Sequence, residues 1–272
     1  MANDPSAAGE PNAIPGIDTS VPHSARIWNY WLGGKDNYEV DRIAGDRYRE
    51  IAPEIVDMAR ASRVFLTRTV RYAAGEAGLR QFLDIGTGLP TVDNTHEVAQ
   101  RVSPDCRVVY VDNDPLVLAH ARALLAGSPD GATDYLDADV RDTDHILAEA
   151  RRTLDLDRPV ALMLMGILGH IPDYDEARDI VRRLLDALPS GSLLVLYDGT
   201  DTDENLRTAQ QGYDDTQAVP YVLRSPEQIA GFFEGLELVE PGVVSCPLWR
   251  PEPSAFGEPK ATHIHGGVGR KP

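Results

Sequence analysis

The chain has 272 residues, of which 42% are hydrophobic, and its 26 basic and 43 acidic side chains give a formal net charge of −17. This apolar content excludes a wholly disordered chain, and no uninterrupted apolar run reaches the length of about 18 residues that suggests a membrane span. The acidity disfavours binding to a nucleic acid, because most of the surface would repel its phosphates.

Residues 1–22 are predicted to form a flexible arm without a core, because four prolines lie there among small and polar residues. The arm lacks the basic and apolar regions of a secretion signal. Two cysteines, Cys106 and Cys246, are too few for a disulfide framework. Together these features predict a cytoplasmic protein, and they leave its oligomeric state open.

Residues 23–78 are predicted to form a helical lid segment. Trp28 and Trp31 precede a polar turn, Gly33–Tyr38, and this region could either pack against the main domain or bend over a ligand. Apolar residues at spacings of three and four predict an amphipathic helix over residues 54–73. One of its arginines could bind an anionic group, but surface carboxylates are the expected partners of all four: Arg60, Arg63, Arg68 and Arg71.

After Gly78, short apolar runs alternate with helical stretches that begin at capping residues, namely Asp114, Asp173 and Ser225. This alternation predicts an α/β fold over residues 79–272, with a doubly wound, mostly parallel sheet covered by helices on both faces. Five strands are predicted: Gln81–Ile85, Arg107–Val111, Thr133–Leu136, Val160–Met165 and Ser192–Tyr197.

Ligands of doubly wound sheets bind outside the carboxyl ends of the strands, so the residues that follow each strand are candidates for a site. The first strand leads into Gly86 and Gly88, which allow a tight turn and a close approach of the backbone to a ligand. The second ends at Asp112, whose carboxylate can accept both hydroxyls of a ribose. The third is followed by Asp139, which can meet an adenine amino group.

Three nucleotide-binding patterns can be compared with these residues. A nicotinamide dinucleotide site needs a third glycine at the position of Thr91, and a P-loop needs a Gly-Lys-Ser/Thr that is missing from the sequence. The acid that precedes the glycines, Asp84, favours the third pattern, S-adenosylmethionine (SAM). Its carboxylate would attract the positively charged methionine end of SAM, whereas it would repel a pyrophosphate.

Five segments then carry a resemblance to a known family: Tyr30–Asn37, Gln81–Thr91, Asn94–Gln100, Val109–Pro115 and Gly266–Lys271. They resemble the class I SAM-dependent methyltransferases, and more narrowly a branch whose methyl acceptor is unknown. The resemblance covers about residues 20–272. The general class usually has a third glycine where this chain has Pro90, and the branch often has Asn where this chain has Ser62.

This resemblance implies a Rossmann-like methyltransferase fold, an enzyme, and SAM as its cofactor. The N-terminal segment would fold over the cofactor as a lid. The residues implied in cofactor binding are Asp84, Gly86, Thr87 and Gly88 at the methionine end, Asp112 and Asn113 at the ribose, Asp139 and Val140 at the adenine, and Tyr30 and Gly34 in the lid segment.

The methyl acceptor is expected near the end of the fourth strand, Met165–His170. The Asn/Asp-Pro-Pro-aromatic run of many nitrogen methyltransferases is missing there. His170 is the one titratable group in this run, and it is interpreted either as a general base or as a loop histidine bonded to backbone. The polar stretch Asp198–Pro220 is predicted to be a long loop that forms the acceptor-side wall. The four acids of its first part, Asp198–Glu204, favour a neutral or cationic acceptor.

No metal site is predicted. His263 and His265 would share one face of a strand, and His96 precedes Glu97, but neither pair has a third ligand in view. The sequence therefore predicts a methyltransferase with a small-molecule acceptor and no membrane or nucleic-acid partner. The alternative is a SAM-binding protein with a regulatory or structural role and no methyl transfer.

Overall fold

The computed structural model describes residues 18–124, 127–253, 257 and 259–272. Most of the predicted arm, residues 1–17, lies outside the described residues. The carbonyl oxygens of Asp18 and Val21 accept hydrogen bonds from the Arg26 guanidinium, so the last part of the predicted arm is fixed to the segment that follows it. Within the described residues, no helix has the length and apolar character needed to cross a membrane.

The strands of the described chain form one mixed sheet: β1 (Gln81–Ile85), β2 (Arg107–Asp112), β3 (Ala132–Asp137), β4 (Ala161–Met165), β5 (Leu193–Gly199), β6 (Glu237–Leu238), β7 (Val244–Ser245) and β8 (Ile264–Arg270). Their order is β3-β2-β1-β4-β5-β8-β6, with β7 paired to β8. Strands β1 to β5 are parallel, and β8 runs antiparallel to β5. The predicted fold class is confirmed.

The five predicted strands are confirmed within two residues at each end. The central strands β4 and β5 are buried and keep the long apolar runs expected of parallel strands covered on both faces. None of the five predicted strands corresponds to β6, β7 or β8. In β8 glycines replace the apolar residues that mark a strand, and they allow close pairing: a Cβ atom on Gly266 would lie 2.5 Å from the carbonyl oxygen of Leu196 in β5.

The helices pack on both faces of this sheet: α1 (Ser24–Trp31), α2 (Glu39–Ile51), α3 (Ile55–Arg71), α4 (Thr95–Val102), α5 (Pro115–Leu124), α6 (Thr143–Ala150), α7 (Tyr174–Asp186), α8 (Glu204–Asp214) and α9 (Pro226–Gly231). Helix α3 continues into a π-helical turn, Tyr72–Glu76. The predicted caps are confirmed, since the side chains of Asp114, Asp173 and Ser225 accept hydrogen bonds from the first turns of α5, α7 and α9.

The prediction of a long loop over Asp198–Pro220 is wrong, because α8 occupies the middle of this stretch. The Asp203 side chain caps the helix by accepting a hydrogen bond from the Leu206 amide at 3.0 Å. Only a narrow stripe of α8 is buried, at Leu206, Ala209, Gln210 and Tyr213, and the rest is polar. Such a short apolar stripe is too weak a periodic signal to distinguish the helix from a polar loop.

Helices α1 and α2 are joined by a buried ion pair. The Arg26 Nε atom lies 3.0 Å from Asp41 Oδ2, and the same carboxylate accepts hydrogen bonds from the His23 and Tyr38 amides. The two helices cross closely at Gly45, whose carbonyl oxygen accepts a 3.1 Å hydrogen bond from the Trp31 indole. This network fixes the position of α1 against α2.

Two large apolar clusters hold the fold together, one on each face of the sheet. The first packs α1 to α4 and α8 against residues such as Phe82 and Val195, and the second packs α6, α7 and α9 against residues such as Leu83 and Leu194. Because neighbouring strand residues point to opposite faces, β1 and β5 contribute to both clusters. The carboxyl ends of the parallel strands are left free between these two layers.

Candidate functional site

A cavity of about 390 Å³ lies at the carboxyl ends of the parallel strands. The loops that follow β1, β2, β3 and β4 supply one part of its lining. The helices α1, α2, α3 and α8 supply another part and cover it. The predicted lid segment and the predicted strand-end site therefore face the same space.

The turn after β1 approaches this cavity through two glycines with positive φ, Gly86 at 75° and Gly88 at 66°. A side chain at Gly86 would be strained by this backbone conformation, and its Cβ atom would lie 2.6 Å from the side chain of Ile167. Thr87, between the glycines, also lines the cavity, and its hydroxyl donates to the Asp84 carbonyl oxygen at 3.2 Å. The turn thus leaves backbone rather than side chains beside a ligand.

Asp112 connects this turn to the end of β2. Its Oδ2 atom accepts a 2.8 Å hydrogen bond from the Gly88 amide, and its Oδ1 atom accepts one of 3.0 Å from the Asp114 amide. Each oxygen keeps a further lone pair, so the carboxylate can accept two ligand hydroxyls as well. Burial raises the pKa of Asp112, and Asn113 beside it is exposed while still lining the cavity.

Asp84 is almost completely buried, with 3% of its surface exposed. The Thr95 hydroxyl donates a 2.6 Å hydrogen bond to Asp84 Oδ2. Burial raises the Asp84 pKa to about 6, and both the Thr95 hydrogen bond and the positive charge of Arg63 oppose this rise. A cationic ligand in the cavity would favour the ionised carboxylate.

At the third strand end, Asp139 and Val140 both line the cavity. Asp139 Oδ1 accepts a 2.8 Å hydrogen bond from the Arg141 amide, which holds the carboxylate in place while its side chain stays 44% exposed. Val140 is buried, and it belongs to the apolar cluster that contains α6 and α7. An apolar floor beside a carboxylate is a suitable environment for a heteroaromatic ring with an amino group.

Tyr30 and Gly34, both in the described part of the chain, are not among the residues that line the cavity. The Tyr30 hydroxyl instead donates a 2.8 Å hydrogen bond to Asp46, and the Gly34 amide donates one of 2.8 Å to the Asn29 carbonyl oxygen. The side chains that α1 places in the lining are their neighbours, including Trp28, Asn29 and Trp31.

Arg63 of α3 is a cavity residue that the sequence does not single out. Its Nη2 atom donates to the Asp93 carbonyl oxygen at 2.9 Å, whereas its Nε atom is buried without a hydrogen-bond partner among the described residues. Two other arginines of α3 meet surface carboxylates as predicted, Arg60 at Asp57 and Arg71 at Glu252. The sequence does allow an anion-binding arginine in α3, because four arginines lie there, but their spacing alone does not show which of them faces a ligand.

His170 lines the cavity after β4, and one contact determines the tautomer of its imidazole ring. Its Nδ1 atom lies 2.9 Å from the Pro220 carbonyl oxygen, which can only accept a hydrogen bond, so Nδ1 carries the proton and Nε2 is free to accept one. Burial lowers the His170 pKa and favours this neutral form. The ring also packs edge to face on Tyr221, with centroids 5.1 Å apart.

The acids of Asp198–Glu204 do not face the cavity, so the argument for a neutral or cationic acceptor cannot rest on them. Asp198 is buried and accepts a hydrogen bond from the Tyr221 hydroxyl, and Asp203 caps α8. The stretch does contribute to the wall of the cavity, but through Gln210, Tyr213 and Val219.

No group of three or more possible metal ligands occurs within the described residues. The His96 Nδ1 atom lies 2.8 Å from the Tyr110 hydroxyl, and His263 Nδ1 lies 3.1 Å from the Thr202 hydroxyl. Both histidines therefore have ordinary polar partners in the fold.

Comparisons with known proteins identify the family and the fold of the chain. A sequence model of the S-adenosyl methyltransferase family matches residues 10–272. No curated protein matches the chain. The crystal structure of a DUF574 family protein from Streptomyces avermitilis is 46% identical, with a TM-score of 0.90 over 94% of this chain and 99% of that chain.

A candidate methyltransferase from Thermobifida fusca is 44% identical, with a TM-score of 0.86 over 94% of this chain and 97% of that chain. Mitomycin 7-O-methyltransferase is more distant, at 18% identity and a TM-score of 0.50 over 91% of this chain and 68% of that chain. Its likeness to this chain is one of fold alone.

Proposed function

Because the chain belongs to the S-adenosyl methyltransferase family, we propose that its cavity binds SAM along the strand ends and directs methyl transfer to a small molecule held in the same cavity. The observation that carries this proposal is the shared lining: three strand-end acids and the helices α1, α2, α3 and α8 enclose one space. The cofactor of the family is SAM, and the methyl acceptor is the part that the family does not define.

The residues present fit this cofactor. In the proposal, Asp112 accepts the ribose hydroxyls on its free lone pairs, with Asn113 beside it, while Asp139 and the Val140 amide meet the adenine. Asp84 and the glycine turn Gly86–Gly88 take the cationic methionine end. The raised pKa of Asp84 supports this role, because a buried carboxylate is stabilised by a cation. Tyr30 and Gly34 would act only indirectly, by supporting α1.

Arg63 would bind the carboxylate of the methionine end. Its unpartnered Nε atom is buried in the cavity lining, and guanidinium groups pair with carboxylates through two parallel hydrogen bonds. Its positive charge also favours the ionised form of Asp84, and both residues line the cavity. An amino acid moiety, with one charge of each sign, is complementary to this pair.

When bound, SAM supplies an electrophilic methyl group on a cationic sulfur. The cavity then has to hold the acceptor at about 3–3.5 Å from that methyl group, which accounts for much of the rate acceleration in such reactions. His170 is our candidate for the general base, since its Nε2 atom can take a proton from a hydroxyl acceptor. A neutral amine would not need this step.

A concave cavity of this size, covered in part by helices, favours a small acceptor over a nucleic acid or a protein surface. The acidic net charge points the same way, since it disfavours a polyanionic partner. We further propose a cytoplasmic location, in agreement with two buried free cysteines, Cys106 and Cys246.

Methyl-labelled SAM tests the proposal. The full chain is incubated with a cell extract that has been divided by ultrafiltration into small-molecule and macromolecular fractions. We expect S-adenosylhomocysteine (SAH) to form with the small-molecule fraction, and the label to stay there, whereas Asp112→Ala should form little of either product. Labelling confined to macromolecules would contradict the proposed acceptor class, and SAH binding without any labelling would contradict methyl transfer.

A further inference from the structure

One part of the cavity lining is aromatic and apolar. We call it the acceptor wall, and six residues of α1, α2, α3 and α8 define it: Ile27, Trp28, Trp31, Tyr48, Met58 and Tyr213. The Trp31 ring centroid lies 5.7 Å from that of Trp28 and 5.1 Å from that of Tyr48. The Tyr48 hydroxyl then reaches Gln210 at 3.4 Å, one turn before Tyr213 on α8. These contacts make the wall one continuous surface.

The acceptor wall carries no charge. Among the described residues of α1, α2 and α8, no acidic or basic side chain lines the cavity, and α3 contributes only Arg63, whose charge acts on Asp84. A charged group placed against the wall would lose its hydration without gaining an opposite charge. An uncharged ligand avoids this cost, and a planar ring can stack on the aromatic side chains.

Tyr213 gives this wall one polar contact. The residue is 8% exposed, and its hydroxyl is buried without a hydrogen-bond partner among the described residues. Burial raises the pKa of Tyr213, and the nearby Ser24 hydroxyl opposes part of this rise. No hydrogen bond of standard geometry joins the two hydroxyls. Because Tyr213 lines the cavity, a neutral polar group of a ligand can satisfy its hydroxyl.

A short chain of hydrogen bonds connects the acceptor wall to His170. Asp214 Oδ1 accepts from the Gln210 side chain at 2.9 Å and from the Tyr221 amide at 3.3 Å. The Pro220 carbonyl oxygen, next to Tyr221, accepts from His170 Nδ1. The free Nε2 atom of His170 is thus held in fixed relation to the wall.

The acidity of the acceptor must match this base. Histidine can accept a proton efficiently from a group whose pKa is not far above its own. A phenolic hydroxyl, with a pKa of about 10, meets this condition much better than an aliphatic alcohol. An aromatic hydroxyl compound therefore suits both the base and the aromatic wall.

We propose that the acceptor is an uncharged planar phenol that stacks on the acceptor wall, with one hydroxyl at His170 and a second neutral polar group at Tyr213. This inference rests on the proposed function. In the transfer, the phenol oxygen forms a bond to the methyl carbon while the carbon–sulfur bond breaks and its electron pair stays on sulfur. The phenol proton passes to His170 Nε2 and from there to solvent.

Calorimetric titration of the full chain tests the ligand class. The protein is first saturated with SAH and then titrated with 2,6-dihydroxynaphthalene, with 6-hydroxy-2-naphthoate, or with the saturated diol 2,6-dihydroxydecalin. We expect the aromatic diol to bind at least about tenfold more tightly than either analogue. Equal or tighter binding of an analogue, or no binding of the aromatic diol to SAH-loaded protein, would overturn this inference and leave the proposed function standing. Failure of the chain to bind SAH would overturn both the proposed function and this inference.

Tyr213→Phe tests the polar contact, because it removes only the hydroxyl. We expect about five- to tenfold weaker binding of 2,6-dihydroxynaphthalene and unchanged binding of 2-naphthol, which has no second hydroxyl. Tyr174→Phe is the matched control, since the Tyr174 hydroxyl donates to the Gln228 carbonyl oxygen and does not line the cavity. Unchanged binding of both naphthols in Tyr213→Phe would contradict the role of Tyr213.

Discussion

At the scale of single residues, the three strand-end acids have different surroundings. Asp84 is buried, Asp112 bridges two loops, and Asp139 is partly exposed. The sequence predicts all three as site residues, and all three line one cavity. It predicts their positions because each acid lies at or just beyond the carboxyl end of a strand in the same parallel sheet, but burial and hydrogen bonding depend on contacts between loops that no local pattern encodes.

Arg63 gives a sharp prediction at this scale. We expect Arg63→Ala to weaken SAH binding about ten- to hundredfold, because a charge-assisted hydrogen bond contributes about 1.5–3 kcal/mol. Binding of 5′-methylthioadenosine, which lacks the amino acid moiety, should stay unchanged. Isothermal titration calorimetry with both ligands measures the difference.

Arg60→Ala is the control for this experiment, since Arg60 lies on the same helix with its side chain 70% exposed. It should bind both ligands as the wild type does. Equal losses for SAH and 5′-methylthioadenosine in Arg63→Ala would show that Arg63 supports the fold of the site rather than the carboxylate.

At the scale of secondary structure, the elements with strong patterns are predicted and those with weak patterns are not. Strands β2, β4 and β5 have long apolar runs, and α5, α7 and α9 have clear caps. Strand β8 is rich in glycine, and α8 buries only a narrow stripe, so tertiary contacts determine both. Helix α8 matters for function, because it supplies Gln210 and Tyr213 to the cavity.

The stability of α8 can be tested at its first turn. We expect Asp203→Ala to lower the free energy of unfolding by about 1 kcal/mol, since the Asp203 carboxylate caps the Leu206 amide. Chemical denaturation monitored by circular dichroism measures the change. Asp201→Ala, two residues earlier and outside the helix, should have a near-zero effect, and an equal loss in both variants would contradict the capping role.

At the scale of the whole molecule, the sheet separates two apolar clusters and leaves its carboxyl edge for the cavity. The sequence predicts this doubly wound arrangement and an N-terminal segment over the site. It does not predict that Tyr30 and Gly34 turn away while Trp28 and Trp31 face inward, because that depends on how α1 rotates against α2. The Arg26–Asp41 pair and the crossing at Gly45 determine this rotation.

Burial of Asp84 makes global stability depend on pH. Its pKa in the folded protein is about 6, above its value of about 3.9 in an unfolded chain. The stability contributed by the protonated carboxyl is therefore complete below about pH 3.9 and is lost as the pH rises through about 6. As the pH rises from about 3.9 to above about 6, the free energy of unfolding of Asp84→Asn should therefore increase by up to about 3 kcal/mol relative to that of the wild type.

Urea unfolding of both proteins at about pH 4 and about pH 7.5 measures this difference. Asp57→Asn is a surface control, with 76% of the Asp57 side chain exposed, and its difference from wild type should be small at both values. A constant difference between Asp84→Asn and wild type across the range would contradict the buried, protonated state of Asp84.

The most direct test of the central claim, a SAM site formed by the strand-end loops, is calorimetric titration of the wild type and of Asp112→Ala with SAH. We predict one bound SAH per wild-type chain. The variant should bind at least about a hundredfold more weakly, because it loses both ribose hydrogen bonds, while it keeps a cooperative unfolding transition. Equal affinity in the two proteins, or no binding by the wild type, would contradict the account.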